Sequence, residues 1–207
     1  MLLHLNYENP QPKDIDTIVK CLKNDGIIIY PTDTVYSIGC DITNQKAIEK
    51  LARLKNIKPE KANFSFVCSD LSHLANYCRP ISNSLFRIIK KALPGPYTFI
   101  LEANNNVPKL LKQNKKTVGI RVPDNPICLA IVKALGNPII STSLHNMDDE
   151  IVEYFSDPEV IHSEYESKVD MVIDGGFGNL YASTVLDCST DEIVVVREGL
   201  GSLDILD

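Results

Sequence analysis

The stretch GIIIYPTDTVYSIGCD, residues 26–41, decides the fold of this chain, because a short apolar run ends there in a proline and small polar side chains. Residues 27–30, IIIY, are β-branched or aromatic, and such a run predicts a strand that is buried on both faces. Thr32, Asp33 and Thr34 follow the end of this strand, where open α/β sheets usually bind ligands. The stretch therefore predicts side-chain oxygens at a ligand site, although these residues could equally hydrogen-bond their own turn.

The composition is that of a soluble globular protein. With 207 residues, 44% hydrophobic and 23% charged, the chain can bury a large core, and we predict one domain over residues 1–207. No apolar run is long enough to span a bilayer, and the amino end lacks the pattern of a secretory signal. The six cysteines and four histidines show no ligand spacing, which argues against structural zinc. We therefore expect a cytoplasmic protein with no membrane partner.

The charges are unevenly distributed along the chain. The formal net charge is −6, yet residues 50–121 hold fourteen Lys or Arg against three acidic residues. If these cations share one face, they would attract polyanions such as nucleotides or RNA. They could instead lie on several solvated helix faces, where their fields average out.

Strands and helices alternate along the sequence. Capping side chains ahead of apolar periodic patterns predict helices that begin at Asp14, Thr43, Asp70, Ser82 and Asn125. Further strands are predicted over residues 64–68, 97–103, 117–122, 138–142, 169–173, 184–187 and 193–197. The acidic residues 147–168 are expected to be partly helical and exposed. This order, with consecutive strands late in the chain, predicts an α/β fold with a mixed twisted sheet.

Polar and basic side chains recur where these elements end. They are Thr32, Asp33, Thr34, Lys55, Arg121, Ser141, Ser143, Ser183, Thr184 and Arg197. Arginine pairs bidentately with phosphate and lysine acts as a compact charge, so these residues could hold a triphosphate. Neither a P-loop nor GxGxxG occurs, and any nucleotide site is therefore of another type. Each residue could also be structural, in an ion pair, at a solvated helix end or in a turn.

Five motifs, in chain order, resemble the Sua/YciO/YrdC family. They are YPTDTVYSIGCD at 30–41, GIRVPDNP at 119–126, IISTS at 139–143, STVLDC at 183–188 and VVVREG at 194–199. The resemblance covers nearly the whole chain and is closest to the YciO branch. It implies a YrdC-like open twisted mixed sheet flanked by helices, with a concave basic surface. It also implies L-threonylcarbamoyladenylate synthesis from threonine, bicarbonate and ATP, with release of pyrophosphate, for tRNA modification. Family members also bind double-stranded RNA, so the resemblance implies tRNA or double-stranded RNA as a partner.

The resemblance also implies roles for particular residues. Those expected to bind threonine are Thr32, Tyr36, Arg121 and Ser183. Those expected to bind the nucleotide are Lys55, Ser141, Ser143 and Arg197. ATP would be a substrate, with Mg²⁺ bridging its phosphates. No catalytic residue is assigned.

Three positions depart from the family pattern. Ile57 stands where the family's Lys-x-Arg pair has arginine, His145 stands where its Ser-x-Asn pair has asparagine, and Ser37 replaces a glycine. Losing one preorganised donor can cost about 3 kcal/mol, or roughly a hundredfold in rate. The sequence therefore leaves three functions open. They are an adenylate synthase, a related reaction on threonylcarbamoyl-modified RNA, and RNA binding without catalysis.

Overall fold

A computed structural model describes residues 1–112, 116–144 and 154–206. The helices in these ranges are α1 (Pro12–Lys23), α2 (Gln45–Leu54), α3 (Leu71–Ala75), α4 (Asn83–Ala92), α5 (Lys109–Lys112), α6 (Pro126–Leu135) and α7 (Pro158–Tyr165). The strands are β1 (Leu2–His4), β2 (Ile28–Tyr30), β3 (Ser37–Asp41), β4 (Ser65–Val67), β5 (Tyr97–Glu102), β6 (Thr117–Arg121), β7 (Ile139–Ser143), β8 (Met171–Asp174), β9 (Thr184–Asp187) and β10 (Val194–Arg197). Short 3₁₀ turns occur at Pro59–Lys61 and Leu203–Leu206. The expectations for His145 and for the start of the acidic region lie outside the described residues.

Local capping explains where most helices begin. The Asn125 side chain accepts a hydrogen bond from the Cys128 N–H, and Gly136 ends α6 in the left-handed conformation at φ 82°, which glycine adopts without strain. Asp70 and Ser82 cap α3 and α4 as predicted. The prediction for α2 was wrong by one residue, because Asn44 and not the preceding threonine caps it. The predicted start of α1 at Asp14 was also wrong, because α1 begins at Pro12 without a side-chain cap and Asp14 lies in its first turn. No described helix is long and apolar enough to cross a membrane.

The ten described strands form one mixed sheet in the order β1-β8-β2-β3-β7-β4-β6-β5-β9-β10. The predicted central strand is β2. The turn after β2, which holds Thr32, Asp33 and Thr34 and which we call the polar turn, leads into β3, and β3 pairs antiparallel to β2. β3 also pairs antiparallel with β7, with Ser37 opposite Ser143, so the stretch after the polar turn and the stretch IISTS are direct neighbours. The sequence analysis predicted neither β3 nor β1. The mixed α/β sheet flanked by helices is confirmed.

Alternation along the strands divides the two faces of the sheet. Phe66, Phe99 and Ile120 point into the larger apolar core, whereas Val67 and Ile139 point to the opposite face. On that opposite face, the buried residues of α1 and α6 pack over one half of the sheet. The other half of the same face is lined by small polar residues, and it holds the cavity described next.

Candidate functional site

A cavity of about 590 Å³ opens over the half of the sheet from β3 to β10, and we call it the polar cavity. Its polar lining includes Ser37, Ser65, Thr98, Thr117, Arg121, Ser141, Thr142, Ser143, Ser183 and Arg197. Five of the eight residues proposed from the resemblance thus lie around one cavity, although they come from β6, β7, β10 and the start of β9. Their roles in binding remain predictions.

The floor of the polar cavity exists because adjacent strands place small residues side by side. Ser65 lies opposite Gly119 on one neighbour and opposite Ser141 on the other. A Cβ atom on Gly119 would lie 3.2 Å from the Ser65 Oγ and 3.5 Å from a methyl group of Thr98. Side chains larger than serine at these positions would fill the space that a ligand needs.

Arg121 is the buried cation of the polar cavity. Its Nη2 donates to Asp33 Oδ1 at 3.0 Å and to Thr34 Oγ1 at 2.9 Å. The two charged side chains are only 7% and 8% exposed. The Arg121 Nε is buried and has no hydrogen-bond partner in the described part of the chain. An unpaired buried donor is costly, so this nitrogen is suited to an anionic ligand in the cavity.

Asp33 fixes the position of that guanidinium. Its second oxygen, Oδ2, accepts from the Asp124 N–H at 3.1 Å, which ties the polar turn to the segment after β6. Burial raises the pKa of Asp33, and the neighbouring Arg121 opposes that rise. Of the polar turn's side chains, Asp33 and Thr34 hold Arg121, so the turn acts on the polar cavity through this arginine.

Lys55 is a second buried cation. It is 4% exposed, and its Nζ donates to the Ser143 carbonyl oxygen at 3.4 Å. Burial lowers the pKa of Lys55 to about 8. No acidic side chain in residues 1–112, 116–144 or 154–206 forms an ion pair with it. Lys55 itself does not line the polar cavity; it contacts Ser143, which does. A desolvated ammonium next to such a lining residue is a candidate functional group.

Ser183, Thr98 and Arg197 meet at the far end of the polar cavity. The Ser183 and Thr98 hydroxyls lie 2.8 Å apart. Arg197 donates through Nε and Nη2 to the Ser183 carbonyl oxygen at 3.1 and 2.9 Å. The exposed strand β10 carries this arginine, so the remainder of its guanidinium can face a ligand at the rim.

Ser141 lies in the middle of the floor, and its Oγ accepts from the Tyr30 hydroxyl at 2.8 Å. Tyr30 is fully buried, and burial raises its pKa far above the ordinary value. The sequence analysis treated Tyr30 only as an apolar strand residue. Its phenol instead crosses beneath β3 to hold a serine of β7, a contact between residues 111 positions apart.

Thr32 and Tyr36 do not line the polar cavity. The Thr32 hydroxyl donates to the Val35 carbonyl oxygen at 2.7 Å, so it closes its own turn. The Tyr36 hydroxyl donates to the Gly176 carbonyl oxygen at 2.7 Å. Contact of these two residues with threonine remains a prediction. The hydrogen bonds of Thr32 are those expected if it stabilises its own turn.

Ser65, Thr98 and Gly119 line the polar cavity but were missed by the sequence analysis. The sequence pattern that could have identified them is the alternation of small with large residues in SFV, TFI and TVGIR. Such alternation indicates one apolar and one open face of a strand. In the described ranges, no group of three His, Cys, Asp or Glu side chains could hold a metal ion.

The protein is thus an α/β protein whose mixed sheet carries, on one face, a cavity lined by small polar residues and the buried Arg121. The chain belongs to the Sua5/YciO/YrdC family, whose family model, described as "Telomere recombination", matches residues 20–199. It is 42% identical to YciO of Escherichia coli K12, described as uncharacterized, over 97% of this chain and 96% of that protein.

More distant relatives carry a named activity. The chain is 27% identical to a threonylcarbamoyl-AMP synthase of Coxiella burnetii, over 88% of this chain and 96% of that protein. The crystal structure of E. coli YciO superimposes with a TM-score of 0.90 and 40% identity, covering 99% of this chain and 98% of that one. P. abyssi Sua5 complexed with L-threonine shares the fold, with a TM-score of 0.87 and 21% identity over 96% of this chain and 57% of that one.

Proposed function

We propose that the polar cavity binds an adenosine nucleotide together with threonine, as in a threonylcarbamoyl-AMP synthase. The observation that carries this proposal is the presence of two buried cations, Arg121, which lines the polar cavity, and Lys55, which contacts Ser143 of its lining. One has an unpartnered Nε and the other forms no ion pair among the described residues. Relatives named as threonylcarbamoyl-AMP synthases supply the substrate class.

The two cations differ in what they can hold. Arg121 offers a directional N–H at one end of the polar cavity, which suits the planar carboxylate of an amino acid. Lys55 lies near Ser143 and offers a compact charge, which suits phosphate oxygens. Threonine would therefore lie towards Arg121 and Ser183, with the nucleotide along Lys55, Ser141, Ser143 and Arg197.

The reaction needs the substrates held in line more than it needs a protein nucleophile. Threonine and bicarbonate give a carbamate with loss of water, and a carbamate oxygen attacks the α-phosphorus of ATP. The bond from that phosphorus to the bridging oxygen breaks, and pyrophosphate leaves. Cations and hydroxyl groups fixed around the phosphates stabilise the charge on the departing group. The residues of the cavity would serve in this way, and no general base is required of them.

Magnesium would enter with the nucleotide. The described residues offer no carboxylate cluster, and Mg²⁺ commonly binds through substrate phosphates and water rather than an all-protein cage. When bound, it neutralises charge on the triphosphate. In the protein, Lys55 and Arg197 would contribute the remaining positive charge.

The first test measures pyrophosphate release with ATP, Mg²⁺, threonine and bicarbonate, together with ATP binding by calorimetry. We expect Lys55→Met to weaken ATP binding at least about tenfold, since it removes a charge-assisted contact. Lys46→Met is the matched control, because Lys46 lies on α2 and its side chain is 82% exposed. Threonine-dependent pyrophosphate release would establish a synthase, and its loss in a Thr32→Ala variant with unchanged Tm would give Thr32 its predicted role.

The remaining outcomes separate binding from catalysis. ATP bound without turnover, with an affinity that threonine changes, would support the binding part of the proposal and exclude the synthase reaction. Failure to bind either ligand would overturn both parts. An Arg121 variant is a poor first test, because removing the guanidinium leaves Asp33 buried without its partner.

RNA binding without catalysis is the second candidate. Exposed Lys58 and Lys61 precede Ala62, which lines the polar cavity, by four positions and one position, within the segment that carries the excess of cations. We expect RNA affinity that falls steeply with salt, with a slope reduced by about one in a variant lacking one phosphate contact. Salt-sensitive RNA binding in a protein that does not bind ATP would favour this candidate.

A further inference from the structure

A second cavity, of about 660 Å³, lies outside the polar cavity, over the turn between β2 and β3. Residues 175–181, GGFGNLY, lead from β8 towards β9, and we call them the strap. The strap crosses the sheet, because β8 is the second strand in the spatial order and β9 is the ninth. The second cavity is an open pocket lined by the strap, by the polar turn and by Tyr7, and we call it the strap cavity.

The strap is held by its backbone, and its large side chains face outwards. The Asn179 N–H donates to the Thr34 carbonyl oxygen at 3.1 Å, and the Gly178 N–H donates to the Ser156 carbonyl oxygen at 2.8 Å. Phe177 is nevertheless 80% exposed and Tyr181 67% exposed. Neighbouring exposed aromatic groups on a fixed backbone indicate a binding surface, whereas single exposed apolar residues need no explanation.

Charge excludes two classes of ligand from the strap cavity. No Lys or Arg is among the described residues that line it, which disfavours a phosphate or carboxylate. Asp33 is the acidic residue among them, and it is already paired with Arg121. A cationic ligand would therefore find no free carboxylate in the lining. The charges of the lining therefore favour a neutral ligand.

Two amide groups supply the donors for such a ligand. The Asn125 Oδ1 accepts from the Cys128 N–H and the Asn179 Oδ1 accepts from the Tyr181 N–H. Neither Nδ2 has a hydrogen-bond partner among residues 1–112, 116–144 and 154–206, and both residues line the strap cavity. Asn125 is only 2% exposed, so its free N–H bonds are available chiefly to an occupant of that cavity.

We propose that the strap cavity binds a nucleobase, stacked on the aromatic groups of Phe177, Tyr181 and Tyr7 and hydrogen-bonded by the amides of Asn125 and Asn179. Stacking on aromatic side chains with hydrogen bonds to the base edge is how proteins hold unstacked bases. The base could belong to a free nucleoside or to a single-stranded RNA. This site is separate from the nucleotide site proposed in the polar cavity.

The test uses 2-aminopurine, whose fluorescence is quenched when it stacks, as the riboside and within a single-stranded oligoribonucleotide. The chain contains no tryptophan, so excitation above the tyrosine band reports the probe alone. We expect saturable quenching, with affinity about tenfold weaker in Phe177→Ala and in Tyr181→Ala. Phe177→Tyr should retain the affinity, because it keeps the ring.

Phe86→Ala is the matched control, because Phe86 is 42% exposed on α4 and does not line the strap cavity. Quenching by the riboside identifies a nucleoside site, and quenching by the oligoribonucleotide alone identifies an RNA base. Absence of saturable quenching with both probes, or equal affinities in Phe177→Ala and Phe86→Ala, would overturn the proposal. Loss of quenching in Gly119→Ala, which narrows the floor of the polar cavity, would also overturn it and place the base in the polar cavity.

Discussion

The ion pair between Asp33 and Arg121 gives the sharpest prediction for stability. Its atoms are 3.0 Å apart and its side chains are 7% and 8% exposed, so water cannot replace a lost partner. Asp33→Asn keeps the shape of the side chain but removes its charge. Asp33 accepts from Arg121 through Oδ1 and from the Asp124 N–H through Oδ2, whereas the amide of asparagine has only one oxygen that can accept. Breaking a buried pair on one side costs about 3 kcal/mol or more. For a chain of this size, we expect Tm to fall by about 9 °C.

The assay is thermal unfolding followed by circular dichroism, with urea unfolding as a check. Glu102→Gln is the matched control, because Glu102 pairs with Arg79 at 3.8 Å while both side chains are about half exposed or more. That control should lose about 0.5 kcal/mol or less. The double variant Asp33→Asn, Arg121→Met should be more stable than Asp33→Asn alone, since no unpaired charge remains buried. Equal Tm losses in Asp33→Asn and Glu102→Gln would refute the reasoning.

Four further predictions concern Lys55, Ser141 and Gly119. The pKa of Lys55 is about 8 in the folded protein and 10.5 for the free side chain, so between these values the unfolded chain binds more protons than the folded protein. The free energy of unfolding should therefore rise with pH across that window. This rise should be present in the wild type and absent in Lys55→Met. Over the same window, ATP affinity measured by calorimetry should fall as Lys55 loses its charge. Ser141→Ala leaves the buried Tyr30 hydroxyl without its hydrogen-bond partner and should lower the free energy of unfolding by about 2 kcal/mol, measured with urea. Adding Tyr30→Phe should restore most of the lost stability. No recovery in the double variant would contradict the hydrogen bond. Gly119→Ala places a methyl group 3.2 Å from Ser65 Oγ in the cavity floor and should weaken ATP binding with little change in Tm; unchanged affinity would show that the ligand does not approach this floor.

The elements that were predicted well are those whose signals are local. Asn125 and Gly136 mark the two ends of α6 through their own side chain and backbone, and no distant contact is needed. The misses have a common cause. β1 and β3 are strands because of the partners that they pair with, β8 for one and β2 and β7 for the other. A short strand without its neighbours carries little signal of its own.

The candidate site was predicted in part for a related reason. The sequence marked Arg121, Ser141 and Ser183 because polar residues at strand ends stand out against apolar runs. The sequence did not predict that Thr32 and Tyr36 lie outside the lining of the polar cavity. The direction of a side chain in a tight turn depends on the hydrogen bonds that the turn makes, and these are not visible in the sequence. Nor could it identify Tyr30, whose apolar surroundings concealed its hydrogen-bonding role.

The alternation of strands and helices, the position of the polar turn and the residue types available to a ligand can be read from the amino-acid order alone. Only the tertiary structure decided which of these residues share a cavity, because the neighbours in the sheet are far apart in the chain. Arg121 meets Asp33 across 88 positions, and that contact leaves one guanidinium nitrogen unpartnered in the described residues. Local propensity specifies the elements, whereas burial and hydrogen-bond satisfaction, which depend on every neighbouring strand, specify the site.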